Sequence, residues 1–154
     1  MMFGTVNNNC EAIIKVAVGR IGSPKVTVDA VIDTGFMAIA TLLRTFLVMC
    51  FACCQKCPCP NLCGGSHTSF LSLPLSMITD LGLPWHYRDV GTLGDGSEVV
   101  FEIYKATVIW DGQNQIVDVA ASEADPLVGM GLLYGFKLQI EAVEGGLVTI
   151  EALK

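Results

Sequence analysis

Charge is what this sequence has least of. Asp, Glu, Lys and Arg make up 16% of its 154 residues, against 52% hydrophobic. With so little solvating side chain, part of the apolar surface is expected to be covered by a subunit interface or a membrane rather than by water. Basic residues are the scarcer kind: nine Lys and Arg stand against fifteen Asp and Glu, for a net charge of −6, and no basic run occurs. Nucleic-acid phosphates are held by clustered Lys and Arg, which argues against a nucleic-acid partner. The opening MMFGTVNNN has neither the basic n-region nor the apolar h-region of a secretory signal. The expectation is a cytoplasmic chain with reduced thiols, so the seven cysteines, an odd number, are not read as a disulfide framework. There is also no Gly-x-Ser-x-Gly elbow. Ser66 and Ser69 flank His67, but neither His67 nor His86 has an acid and a nucleophile arranged near it, so both histidines read as loop or surface residues. Trp85 and Trp110 read as core or interface anchors.

What is present reads as β. The length suits one domain able to bury a core without disulfides or metal. Residues 11–35 have strand character, with Val26, Val28, Ala30 and Ile32 alternating with Thr27, Asp29 and Val31 after a turn at Ile21–Pro24. Strand signals recur at Val99–Trp110, Ile116–Ala121, Lys137–Val143 and Leu147–Glu151. Asp95-Gly96, Asp111-Gly112 and Gly145-Gly146 punctuate them as hairpin turns. Two short helices are predicted, one over Pro74–Leu81 with Gly82 past its end, the other over Met130–Tyr134 closed by Gly135. The sum is an all-β domain, a sandwich or closed barrel.

The strand through Ile32 runs directly into Asp33-Thr34-Gly35. A carboxylate at the end of a buried strand, followed by a small hydroxyl residue and a glycine, sits in a tight turn. If a second copy brings its own Asp33 alongside, the two charges cannot both ionise. One proton is then shared, leaving one group as general base and the other as general acid around a water able to attack a peptide carbonyl. Such a triplet is also a common structural turn. Beyond it, the chain has only one Asp-Thr-Gly, a Gly-Asp-Gly tip (Gly94, Asp95, Gly96) suited to a mobile flap, and Leu127-Val128-Gly129 before a late helix.

In that order, Val31-Ile32-Asp33-Thr34-Gly35, Leu81-Gly82-Leu83-Pro84, Leu93-Gly94-Asp95-Gly96-Ser97 and Leu127–Leu133 resemble the retropepsin-like aspartic proteases, most closely the small bacterial members. The resemblance covers residues 1–36 and 69–154. It implies a retropepsin-like closed β-barrel working as a homodimeric endopeptidase on extended peptide segments, with no cofactor. It further implies that Asp33 is the catalytic carboxylate, that Thr34 bonds across the dimer axis, and that Gly35 permits the close approach of two chains. Gly94, Asp95 and Gly96 would form the flap tip, Leu127 and Val128 would pack behind the catalytic turn and line the cleft, and the terminal segments would give strands to the dimer interface. Phe36 stands where viral enzymes place a small residue, and Met130 where they often have arginine.

Residues 37–68 interrupt the single domain spanning 1–154. Met37–Cys54 is an 18-residue apolar run containing Arg44, and six cysteines fall between positions 50 and 63. Cys50-x-x-Cys53, Cys54-x-x-Cys57 and Cys57-x-Cys59 have metal-site spacings, but crowd into one cluster rather than two knuckles. The run is at the short end for a membrane span and carries a charge. The reading adopted is an inserted apolar helix lying on the domain or its partner, then a cysteine-rich loop, with no metal assigned. Two other functional readings stay open: a catalytically weak or inactive peptide-binding module on the same fold, and a cysteine-rich metal-binding or membrane-associated variant.

Overall fold

A computed structural model describes residues 1–34, 70–92 and 97–153. The inserted helix and cysteine loop expected over 37–68, Gly35 and the tip Gly94–Gly96 all lie outside the described residues. The described chain is mostly β. In order it forms β1 (Met2–Val6), β2 (Ala12–Gly19), β3 (Val26–Ile32), β4 (Phe70–Pro74), α1 (Leu75–Asp80), β5 (Trp85–Thr92), β6 (Glu98–Trp110), β7 (Gln113–Ser122), β8 (Leu127–Val128), α2 (Met130–Leu133), β9 (Phe136–Ile140) and β10 (Leu147–Ala152).

Period-two patterning sets the faces. Along β2, Ile14, Val16 and Val18 are buried while Lys15 is exposed; along β3, Val28 and Ala30 are buried while Thr27 and Asp29 are exposed. The β6–β7 hairpin turns at Asp111-Gly112, where both residues have positive φ (47° and 77°), as a type I′ turn demands. Pro74 opens α1 with φ −55°, and Gly82 follows it with φ +58°.

The sheet order is β5-β6-β7-β4-β8-β3-β2-β1-β10-β9, and β6 also returns to β2 through Ala17↔Ile109, Val18↔Val108 and Gly19↔Thr107. That return closes β2, β3, β8, β4, β7 and β6 into a barrel. Its interior is aliphatic, with Val16, Val18, Ala30, Leu71, Leu73, Val108, Val119 and Val128 fully buried around Trp110. Each buried Val or Leu contributes about 1.5–3 kcal/mol over its exposed state.

The barrel is doubled. Hairpin β2–β3 is followed by β4 and α1; hairpin β6–β7 is followed by β8 and α2. The parallel ladder of β3 on β8 has its counterpart in β7 on β4, and the third strands β4 and β8 pair antiparallel with each other. Consequently β3 and β4, joined by the chain through the insertion, are not neighbours: β8 lies between them, with Ile32 and Leu71 both opposite Val128. Two strand spacings, about 10 Å, separate them, a span that a handful of extended residues can cross. Deletion of residues 37–67 is therefore expected to leave a folded barrel whose far-UV circular dichroism keeps its β signature and whose urea unfolding stays cooperative. A molten, non-cooperative deletion protein would show that the segment is needed for the core.

Candidate active site

Asp33 stands where β3 leaves the barrel. The backbone N–H of Val31 donates to Pro126 O at 2.8 Å, and that of Asp33 to Val128 O at 3.0 Å. These bonds extend the β3–β8 ladder, Val31↔Leu127 and Ile32↔Val128, by one residue into the Asp33-Thr34 turn. The carboxylate residue is thus pinned at its backbone by a strand that β4 grips from the other side, Leu71↔Val128 and Ser72↔Leu127. Asp33 is half-buried and Thr34 exposed.

Leu127 and Val128 part company. Val128 packs into the core with no exposed surface, so its side chain is not available to line a cleft; its contribution is the carbonyl that holds Asp33. Leu127, half-buried, points the other way. The strand registers place it in a row on the outer barrel face, running Val31, Leu127, Ser72, Ala120, Ile103, Tyr87 across β3, β8, β4, β7, β6 and β5. The row leads from the Asp33 turn to the β5–β6 hairpin. Ser72, Ala120 and Ile103 are buried, and Tyr87 and Phe101 pack on the last two. Ser72 Oγ donates to Ser122 Oγ at 2.9 Å, and Ser122 Oγ in turn to Ala124 O at 3.4 Å. The β7–β8 connection is thereby tied to β4 on one side and, through Pro126, to β3 on the other. Sequence patterning does not reveal Ser72, Ala120, Ile103 or Tyr87, because only the cross-strand register brings them into line with Leu127.

Beside this row lies a buried charge. Asp118, 3% exposed, has its Oδ1 2.5 Å from Lys105 Nζ and its Oδ2 receiving the Tyr87 hydroxyl at 3.2 Å. The lysine contact is one of charge proximity; the directed hydrogen bond is the tyrosine's. Burial first, and then the Asp118 charge, hold the Tyr87 phenol far above its ordinary range. Because the folded state favours the neutral phenol, this stabilisation is complete below the ordinary tyrosine pKa of about 10 and is lost as pH rises toward the folded value. Unfolding free energy is expected to fall more steeply above pH ~10 in the wild type than in Tyr87→Phe. Equal slopes in urea titrations over that range would remove Tyr87 as the cause.

Trp85, read as a core or interface anchor, is 57% exposed, and its indole N–H donates to Glu102 Oε2 at 2.5 Å. That bond and a second from Arg88 hold Glu102 below the usual carboxylate range. Trp110 is the core anchor, fully buried. His86 is exposed, as expected for a surface residue, while His67, Ser66 and Ser69 lie outside the described residues. Among the described residues no group of three or more His, Cys, Asp and Glu is placed to hold a metal ion, and no helix is long and apolar enough to cross a membrane. The six clustered cysteines lie outside the described residues; Cys10 is exposed.

No protein-family model matches the chain, and no curated protein matches it either.

Proposed function

We propose that this chain is a retropepsin-like aspartic endopeptidase that cuts extended peptide segments as a homodimer, with one Asp33 from each copy. The observation that carries the reading is the fixing of Asp33: a half-buried carboxylate residue at a strand end, its backbone bonded to Val128 on a strand threaded between β3 and β4. Such rigid support is what a shared-proton carboxylate pair requires, since a small displacement between two like charges alters which of them ionises. Val31 and Leu127, both half-buried on the outer face, supply an apolar floor beside the turn, and the β5–β6 hairpin stands at the far end of their row. In the mechanism, the ionised partner of the pair takes a proton from the water while the protonated one donates to the peptide carbonyl oxygen. Water forms the new C–O bond, and proton return to the amide nitrogen releases the amine. No cofactor enters.

The test is cleavage of an unstructured protein mixture by purified full-length chain, with inhibition by a statine-type compound that mimics the hydrated carbonyl. Peptide binding with no cleavage from acidic to neutral pH would replace this reading with that of a binding module on the same barrel.

A further inference from the structure

Tyr87, the last member of the row that starts beside Asp33, reaches its place through an irregularity. The β5–β6 register shifts between Trp85 and Tyr87: Trp85 lies opposite Tyr104, and Tyr87 opposite Ile103. In regular register His86 would face Ile103. The extra residue sets Tyr87 there instead, re-aiming a side chain as bulges do. The phenol then crosses β6, and its hydroxyl donates to Asp118 Oδ2 on β7 at 3.2 Å. Asp118 is itself held, because it stands opposite Lys105 in the β6–β7 ladder with its Oδ1 2.5 Å from that lysine's Nζ. A hydrogen bond to a carboxylate is stronger than one between neutral groups, and this one joins strands that are not neighbours.

The bond sits at a fulcrum. Ile103↔Ala120 is the last pair of the β6–β7 ladder, and Ile103 is also the residue opposite Tyr87. The β5–β6 ladder continues beyond it through five more pairs, from Arg88↔Glu102 to Thr92↔Glu98. Those pairs make a ribbon about 17 Å long, so a turn of about 10° at Ile103 carries its Thr92 end about 3 Å. Backbone ladders join adjacent strands only, and the twist between strands is soft over tens of degrees. Tyr87 and Phe101 also pack on Ile103 and Ala120, but apolar contact is non-directional and lets surfaces slide. A directed bond from β5 to β7 does not. We infer that Tyr87 is a positioning residue for peptide binding: braced on Asp118, it sets the attitude of the β5–β6 ribbon toward the floor at Val31 and Leu127. This rests on the peptidase reading, in which an extended peptide lies beside that floor. Lys105 and Asp118 serve the brace from behind, and their task is to hold the ribbon rather than to touch peptide.

Tyr87→Phe keeps the ring and removes the hydroxyl. In the full-length chain it is expected to raise KM for peptide cleavage about ten-fold, with the turnover number nearly unchanged. Amide hydrogen exchange in residues 88–92 and 98–102 should quicken about ten-fold beyond any change in β2 and β10. Lys105→Met/Asp118→Leu, which removes the acceptor together with its counter-ion, should reproduce both effects, and stands in if Tyr87→Phe fails to fold. Added to that pair, Tyr87→Phe should move neither readout further, whereas a hydroxyl that acts apart from Asp118 would add its own effect. Ribbon exchange that rises no more than that of β2, an unchanged KM or peptide affinity, or fully additive substitutions overturns the inference. A wild type that cleaves peptide while Tyr87→Phe matches it in KM and exchange overturns the brace and spares the peptidase reading. A wild type that cuts nothing, with quickened ribbon exchange and the same peptide bound about ten-fold more weakly in Tyr87→Phe, upholds the role of Tyr87 and removes the peptidase reading.

Discussion

Asp33→Asn is expected to lower the turnover number for peptide cleavage by about a thousand-fold or more, the scale of acid–base assistance by positioned side chains. The substitution is nearly isosteric, and the bond from the residue-33 backbone to Val128 does not involve the side chain. The far-UV spectrum and unfolding midpoint should therefore stay close to wild type. Asparagine can neither accept the water's proton nor share one with a neighbour. Because the proposed site draws one carboxylate from each copy, a mixture of wild type and Asp33→Asn that has exchanged subunits should lose activity as the square of the wild-type fraction. A linear loss would mean that each chain works alone. Undiminished cleavage by the pure variant would remove Asp33 from the chemistry.

The second large effect concerns the charge beside the outer row. Lys105→Met is expected to destabilise the fold by about 3–5 kcal/mol, because it leaves the Asp118 carboxylate buried without its cation. The Asp118 side chain is only 2% exposed and cannot turn to water, whereas the Lys105 side chain keeps 32%. Removing the acid instead, by Asp118→Leu, should thus cost less, since the freed ammonium can be hydrated. The double variant Lys105→Met/Asp118→Leu should recover most of the loss, as paired buried charges are often replaceable by apolar side chains of similar volume. Urea midpoints at constant m-value measure all three. A single Lys105→Met variant within a few tenths of a kcal/mol of wild type would mean that Tyr87 alone suffices for Asp118.

Local signals in the sequence located most of the strands and both helices. The alternation through Val26–Ile32 matches β3, the Pro74 and Gly82 pair brackets α1, and Asp111-Gly112 turns the long hairpin. The predicted strand over Lys137–Val143 ends at Ile140, because the chain turns there: Val143 N–H bonds back to Glu141 O and Gly146 N–H to Val143 O. Other strands carried no such signal, β1 and β5 among them. β1 is short and centred on Gly4, a residue that argues against a strand until its pairing is known. A side chain there would place its Cβ 2.0 Å from Ile13 O, so the close approach of β1 to β2 demands glycine. β5 is polar and faces solvent along much of its length, so no period of two marks it. The candidate site was half legible. Asp33 and Leu127 could be singled out from their triplets. The burial of Val128 and the alignment of Leu127, Ser72 and Ala120 depend on ladders joining residues 48 to 96 positions apart, which no local pattern encodes.

The doubling of the barrel bears on how the chain comes to be folded. Neither repeat can complete itself: β4 needs β7 and β8 from the later half, and β8 needs β3 and β4 from the earlier one. A ribosome that has released residues up to the Asp111 turn has therefore delivered the first hairpin and helix, but nothing for β4 to lie against. Ring closure waits for the Leu127–Val128 dipeptide, late in synthesis, and the two halves lock in one step. Slow, all-or-none folding with little protection of the nascent first half is the behaviour such distant pairings impose.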